Sequence, residues 1–260
     1  MGEITGIDWT DHTFNPWWGC KEVSPGCDQC YARELAKRFG FDLWGKGKPR
    51  RSFGDAHWAE PVKWNRDALT TFGRPARVFC ASMADVMDDE ASGSDRERLW
   101  DLINQTPNLI WQLLTKRPHR YAKYLPKQFK HRNVQLGTTA ENQPYYDVRW
   151  PILSLEAQLR GLTSFISYEP AIGPLMPKSV PYCAEAGIPP RFPDWIIFGG
   201  ESGNQRRPCN VTWAEELLKV CQILGIKFFM KQMAGRTPVD GKKAIPAHLQ
   251  IQEFPEISEQ

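Results

Sequence analysis

The 260-residue chain contains no apolar run approaching the roughly 20 residues that cross a bilayer. Its opening stretch, MGEITGIDWTDHTF, has neither a basic n-region nor an apolar h-region, so secretion is not expected. Gly6 stands where a myristoylation signal wants Ser or Thr. A cytoplasmic setting is therefore expected, where clustered cysteines bind metal more often than they form disulfides. There is no G-x-G-x-x-G, no P-loop, and no H-E-x-x-H or H-x-E metal motif. Charge of one sign is missing too: 33 basic against 30 acidic residues leave +3, which by itself names no polyanionic partner. No repeat, low-complexity tract or linker divides the chain, so residues 1–260 read as one soluble domain.

The remaining shortage is a fourth cysteine. Cys20, Cys27 and Cys30 lie in NPWWGCKEVSPGCDQC, spaced C-x6-C-x2-C. A structural zinc site closes with four protein ligands, and disulfides use thiols in pairs. Three thiolates instead hold three irons of a [4Fe–4S] cluster and leave the fourth iron open to an exchangeable ligand. Zinc is the alternative, with His12 or His57 as fourth ligand, and spacing alone does not choose. Cys80 and Cys221 sit in apolar runs and read as packing residues. Cys183 and Cys209 are in loop-like contexts without a clear signal.

Six β-rich runs are present: ARVFCASMADV from Ala76, LIWQLLTKRP from Leu109, NVQLGTTAEN from Asn133, LTSFISYEP from Leu162, DWIIFGGESG from Asp194 and IKFFMKQMAG from Ile226. Near-continuous apolar strands suit burial on both faces, as in parallel sheets. Helical patterns lie between most of them. SDRERLWDLINQT takes Ser94 as N-cap, and TWAEELLKVCQILG takes Thr212 as N-cap, Glu215 as its capping-box partner and Gly225 as its end. With HTFNPWWGC ending a first strand, the alternation predicts a parallel (β/α) barrel, full or partial, over an open doubly wound sheet. Two segments escape the alternation: residues 39–64, rich in Gly, Trp and basic residues, and residues 176–193, rich in proline. Both read as lids or substrate loops. KGKPRR, Lys46 to Arg51, reads as a solvated loop or a phosphate contact.

The polar residues at the strand ends carry the functional signal. They are Ser82 and Asp85; Lys116 and Arg117; Thr139, Glu141 and Asn142; Glu169; Gly199, Gly200 and Glu201; Lys231 and Gln232. In a parallel barrel these ends converge on one rim, which carries the active site.

The ordered set NPWWGCKEVSPGCDQCYA, ASMADVMD, LLTKRP, GTTAEN, SYEPAIGP, FGGESG and KQMAG, running from Asn15 to Gly235, resembles the phage Gp37/Gp68 family, also called DUF5131. Those proteins look like members of the radical S-adenosylmethionine (SAM) superfamily, although the usual spacing there is C-x3-C-x2-C. The resemblance implies that Cys20, Cys27 and Cys30 hold a [4Fe–4S] cluster whose open iron is chelated by SAM. An electron donor of the flavodoxin or ferredoxin type would reduce the cluster. Cleavage of SAM would then yield methionine and a 5′-deoxyadenosyl radical that abstracts a substrate hydrogen. Tyr31 would pack near the adenine. Ser82 and Asp85 would meet the SAM amino group, and Lys116 or Arg117 its carboxylate. Thr139, Glu141 and Asn142 would bond the ribose, and Gly199 and Gly200 would allow close backbone approach. Glu169, Glu201 and Lys231, with Gln232, would face the substrate as the catalytic set.

A nucleic acid or nucleotide is the substrate class the resemblance suggests, since the aromatic and basic residues of Trp44 to Trp64 would suit stacking and phosphate contact. Two other classes compete. One is a zinc-dependent hydrolase or deaminase with an open water position. The other is a non-catalytic nucleic-acid-binding protein with a structural metal, which would not need charged residues gathered on one rim.

Overall fold

The computed structural model describes residues 5–180 and 191–256. The chain opens with β1 (His12–Thr13) and β2 (Trp17–Trp18), and β2 pairs antiparallel with β3 (Arg51–Ser52) outside the main sheet. The six apolar runs then become β4 (Ala76–Cys80), β5 (Leu109–Thr115), β6 (Val134–Thr139), β7 (Thr163–Tyr168), β8 (Trp195–Gly199) and β9 (Lys227–Gln232). With β1 they form a seven-stranded sheet in the order β1-β4-β5-β6-β7-β8-β9, every neighbouring pair parallel. The first strand is shorter than HTFNPWWGC suggested. After Asn15 comes Pro16, which has no N–H to give a ladder, and the chain turns away into the small sheet.

The large sheet is curled. Phe79 on β4 and Trp195 on β8 are four strand spacings apart, roughly 19 Å in a flat sheet. Yet the Trp9 ring lies 4.6 Å from Phe79 and 6.1 Å from Trp195, which puts those two at most about 11 Å apart. Trp9 thus plugs the hollow of the sheet, joined by Phe254, whose ring is 5.7 Å from Trp195 and lies under the Arg77 guanidinium. The free edge of β9 is covered by the C-terminal segment, where Met230 N–H donates to Ile251 O and Glu253 N–H to Phe228 O. Because that segment occupies the β9 edge, β9 does not pair with β1, and the barrel is partial.

The helices are α1 (Tyr31–Arg38), α2 (Asp55–Trp58), α3 (Glu60–Phe72), α4 (Gly93–Gln105), α5 (Tyr121–Tyr124), α6 (Gln143–Arg160), α7 (Val211–Leu224) and α8 (Pro238–Lys243). Apolar faces of α3, α4, α6 and α7 pack on the convex side of the sheet, through Trp64, Leu99, Trp150 and Leu217 against Val78, Leu136 and Ile196. Two caps differ from the sequence expectation. Ser92, not Ser94, caps α4, because its side chain reaches the Asp95 N–H while the Ser94 hydroxyl pairs with Ser92 itself. Asn210, not Thr212, caps α7 by accepting from Thr212 N–H at 3.0 Å, and Glu215 pairs with His248 instead of closing a capping box. The α7 end at Gly225 is as expected, with φ 69° in the left-handed region. Cys80 and Cys221 are buried, as their apolar surroundings implied. Cys183 and most of the proline-rich segment fall among residues 181–190, outside the described residues. Among those described, no helix is long and apolar enough to cross a membrane.

The concave face is tightly filled. Gly137 on β6 faces the Phe165 ring of β7, and a Cβ there would overlap that ring. Gly137→Ala is expected to cost ~1–3 kcal/mol through overpacking. Thermal denaturation should show the loss as a Tm lower by several degrees. An unchanged Tm would mean that the ring has room to shift.

Candidate cofactor and metal site at the barrel mouth

Because all seven strands run the same way, their C-terminal ends share one edge. Ser82, Lys116, Thr139, Glu169, Glu201 and Lys231 therefore lie at the same mouth, each at or just beyond the end of its strand. Side chains along β5, β7 and β9 alternate between faces, and this places Lys116, Glu169 and Lys231 on the concave side with Leu114, Phe165 and Phe229. Lys231 Nζ donates to Glu169 Oε1, and Lys116 Nζ reaches Thr139 Oγ1 at 3.4 Å. Ser82 Oγ accepts from Asn15 Nδ2 at 3.1 Å, and the half-exposed Tyr31 donates its hydroxyl to Ser82 O at 2.8 Å.

The other three rim carboxylates have both oxygens engaged inside the protein. Asp85 accepts from Thr115 Oγ1 and Met87 N–H on one oxygen, and from Lys116 N–H and Arg117 Nη1 on the other. Burial alone would raise its pKa, but Arg117, Thr115 and the two backbone N–H groups outweigh burial and hold it below the usual carboxylate range. Glu141, fully buried, accepts from Ser24 Oγ and from Arg149 Nη1. Glu201 accepts from Arg207 through Nη2 at 2.6 Å, the backbone N–H at 2.8 Å and Nε at 3.1 Å.

These pairs converge on the cysteine loop. Arg117 donates from Nη2 to Lys21 O at 2.6 Å, and both of its Nη groups lie 3.7–3.8 Å from Cys20 Sγ. Arg207 donates to Pro25 O at 2.9 Å and to Asp28 Oδ2 at 3.3 Å. Gly26 lies so close to the Glu141 carboxylate that a Cβ would overlap it. The loop therefore meets Arg117 after β5, Glu141 after β6 and Arg207 in the segment after β8, which brings Cys20 and the Cys27 turn to the mouth. Sequence reasoning missed Arg149 and Arg207. Their only signal was a basic residue following a rim carboxylate at a distance of eight or six residues.

The candidate metal ligands are three thiols on one loop. Cys20, Cys27 and Cys30 are free, partly accessible thiols. Cys20 and Cys30 pack on one apolar cluster with Trp18, Leu43, Trp44 and Met83. Burial, with the nearby Asp85 carboxylate, pushes the Cys20 thiol up to about 12, against the pull of Arg117. The Arg117 donors facing this sulfur favour its thiolate form. Among the described residues, no three His, Cys, Asp or Glu side chains are gathered tightly enough to share one metal ion. Both candidate histidines have partners of their own. His57 Nε2 meets Asn15 O at 2.9 Å, and His12 is buried flat against Trp64.

Other expectations change in the structure. Trp44, Trp58 and Trp64 are buried, so they present no stacking surface for bases. In KGKPRR, Lys46 to Pro49 are exposed, as the solvated-loop reading expects, whereas Arg50 is buried against Asp88 and Glu90 and Arg51 lies over Trp18, Phe41 and Phe53. Asn142 caps α6 through Tyr145 N–H. Gly199 faces the Glu169 side chain, and Gly200 leaves no room for a Cβ against the backbone of Met233 and Ala234. Gln232 donates to Gly200 O.

No protein of curated function matches the chain. Among solved structures, it is similar to a spore photoproduct lyase variant with bound AdoMet and dinucleoside spore photoproduct: TM-score 0.47, 12% identity, over 86% of this chain and 56% of that one. A second variant with the dinucleoside spore photoproduct is similar at TM-score 0.44 and 13% identity, over 82% and 53%. The chain thus spans a little over half the length of the solved structures it matches. The family model for proteins of unknown function named DUF5131 matches residues 4–257, nearly the whole chain, and the protein belongs to that family.

Proposed function

We propose that this protein is a radical SAM enzyme in which Cys20, Cys27 and Cys30 hold a [4Fe–4S] cluster at the barrel mouth. One observation carries the proposal: three free thiols on a single loop, anchored over the C-terminal edge of a parallel sheet, with both candidate histidines engaged elsewhere. The family resemblance supplies the cofactor. When bound, the cluster supplies an electron, and SAM on its open iron supplies a hydrogen-abstracting 5′-deoxyadenosyl radical.

The protein's own residues position and shield. Lys116, on the concave side at the end of β5 and bonded to Thr139, would offer its ammonium to the SAM carboxylate. Ser82 and Tyr31, on one short chain of hydrogen bonds, would hold the amino group and the adenine respectively. Thr139 would lie towards the ribose, whereas the Asn142 side chain is taken up by the α6 cap and Gly200 by close packing against Met233 and Ala234. Asp85, Arg117, Glu141 and Glu201 serve the cofactor through the cysteine loop. The Glu169–Lys231 ion pair, on the concave side of the mouth, would face the substrate as the catalytic pair. A flavodoxin- or ferredoxin-type donor reduces the cluster in this scheme. The substrate class we propose is a nucleic acid or nucleotide, for which the exposed ring of Phe39, just past the C-terminal end of α1, offers an aromatic contact.

Anaerobic reconstitution followed by metal analysis should give about four irons per chain, matching sulfide and little zinc. Given dithionite and SAM, that protein should form 5′-deoxyadenosine and methionine. Neither product, from protein shown to hold its cluster and bind SAM, overturns the proposal. One zinc per chain in place of iron favours the hydrolase alternative.

A further inference from the structure

The gap between Cys20 and Cys27 is six residues, and holding so long a loop in one shape costs conformational entropy. The turn through Pro25, Gly26, Cys27 and Asp28 spans from the end of β6 to the segment after β8. On the β6 side, Ser24 and Gly26 rest on the Glu141 carboxylate, which Arg149 fixes from behind. On the β8 side, Arg207 reaches across, donating to Pro25 O and Asp28 Oδ2, the residues flanking Gly26 and Cys27. Arg207 is itself held. Its backbone N–H, Nε and Nη2 all donate to Glu201, a fork that leaves the guanidinium one orientation. Glu201 is placed by the sheet edge, where Gly235 N–H donates to its carbonyl. The chain Gly235–Glu201–Arg207–Pro25 therefore ties the Cys27 turn to β9.

We propose that Arg207 is a positioning residue, locked by Glu201, that keeps the Cys27–Cys30 turn ordered in the metal-free protein and so ready to take up its metal. The metal part of this proposal rests on the cluster assignment above; the ordering part does not. Losing the guanidinium removes both of its hydrogen bonds to the turn and should raise local opening there about tenfold.

The test compares wild type, Arg207→Met and Arg207→Lys as full chains without metal, by hydrogen-exchange mass spectrometry. Amides between residues 24 and 30 should lose about tenfold of their protection in Arg207→Met, while β5 to β8 keep theirs. Arg207→Lys, which keeps the charge but loses the fork, should fall between. The second arm measures iron loss to a chelator after anaerobic reconstitution, expected about tenfold faster in Arg207→Met if the lost order is lost grip. Unchanged protection in Arg207→Met overturns the clamp. Reduced protection with unchanged iron loss overturns the positioning role and leaves Arg207 a structural tie. Wild type that takes up no iron removes the cluster assignment and the positioning role with it, and the exchange arm then decides the clamp by itself.

Discussion

Cys27→Ala, and equally Cys20→Ala and Cys30→Ala, is expected to bring iron after anaerobic reconstitution down to background, along with the broad absorption near 400 nm. A cluster that leaves one iron open for a ligand has only three protein bonds, so losing any one thiolate leaves two irons without protein ligands. The three sites are not equivalent in the structure. Cys20 is braced by Arg117, whereas Cys27 depends on the turn between Glu141 and Arg207. Their variants should nevertheless converge on the same loss. Cys80→Ala and Cys221→Ala are the controls. Both are buried in the main apolar core under the helices, Cys80 within β4 and Cys221 on α7, so neither sulfur reaches the loop that carries the other three. Those variants should keep full iron and lose only stability, about 1 kcal/mol. Full iron content in any one of the first three variants would sink the ligand assignment.

The strands were legible because a parallel sheet under helices buries both faces, and the six apolar runs coincide with β4 to β9. The rim was legible for a related reason: the first polar residue after each run marks the strand end, and parallel topology then gathers those ends. What the sequence concealed was partnership. Whether Asp85, Glu141 and Glu201 meet a ligand or an arginine depends on Arg117, Arg149 and Arg207 arriving from later segments, and no local pattern records that. The tryptophans between residues 44 and 64 misled similarly. Their density looked like a stacking surface, but Trp58 packs against Phe14, and Trp64 against His12, on the convex side of the sheet. Two-residue strands such as β2 are stabilised by a partner more than thirty residues away and leave no periodic trace. The cap shift from Ser94 to Ser92 came from two serines in one turn, of which backbone geometry selects the earlier.

Asp85→Ala should be the most destabilising single substitution at the mouth. The Arg117 side chain is 1% exposed and that of Asp85 7%, and their contact is 2.7 Å. Truncating the carboxylate leaves a buried guanidinium without its counter-charge, a loss of ~3–5 kcal/mol. In a domain of this size that lowers Tm by about 10 °C. Arg117→Met in the same chain should recover part of the loss, because it removes the stranded charge, though not the tie to Lys21 O that holds the Cys20 loop. Acid should erase the difference between wild type and variant. The Asp85 carboxyl is held below its ordinary 3.8 in the folded protein, so folding favours the ionised form. Its contribution is therefore fully present above pH ~4 and lost as pH falls through the depressed folded value. The Tm gap between wild type and Asp85→Ala should be constant from neutral pH down to about 5, then narrow below 4. A gap that stayed the same into strong acid would mean that the carboxylate charge contributes nothing, leaving its hydrogen bonds to Thr115, Lys116 and Met87 as the whole of its role. A variant as stable as wild type at neutral pH would mean that Arg117 finds water or another acceptor, and the rim would then be looser than its contacts indicate.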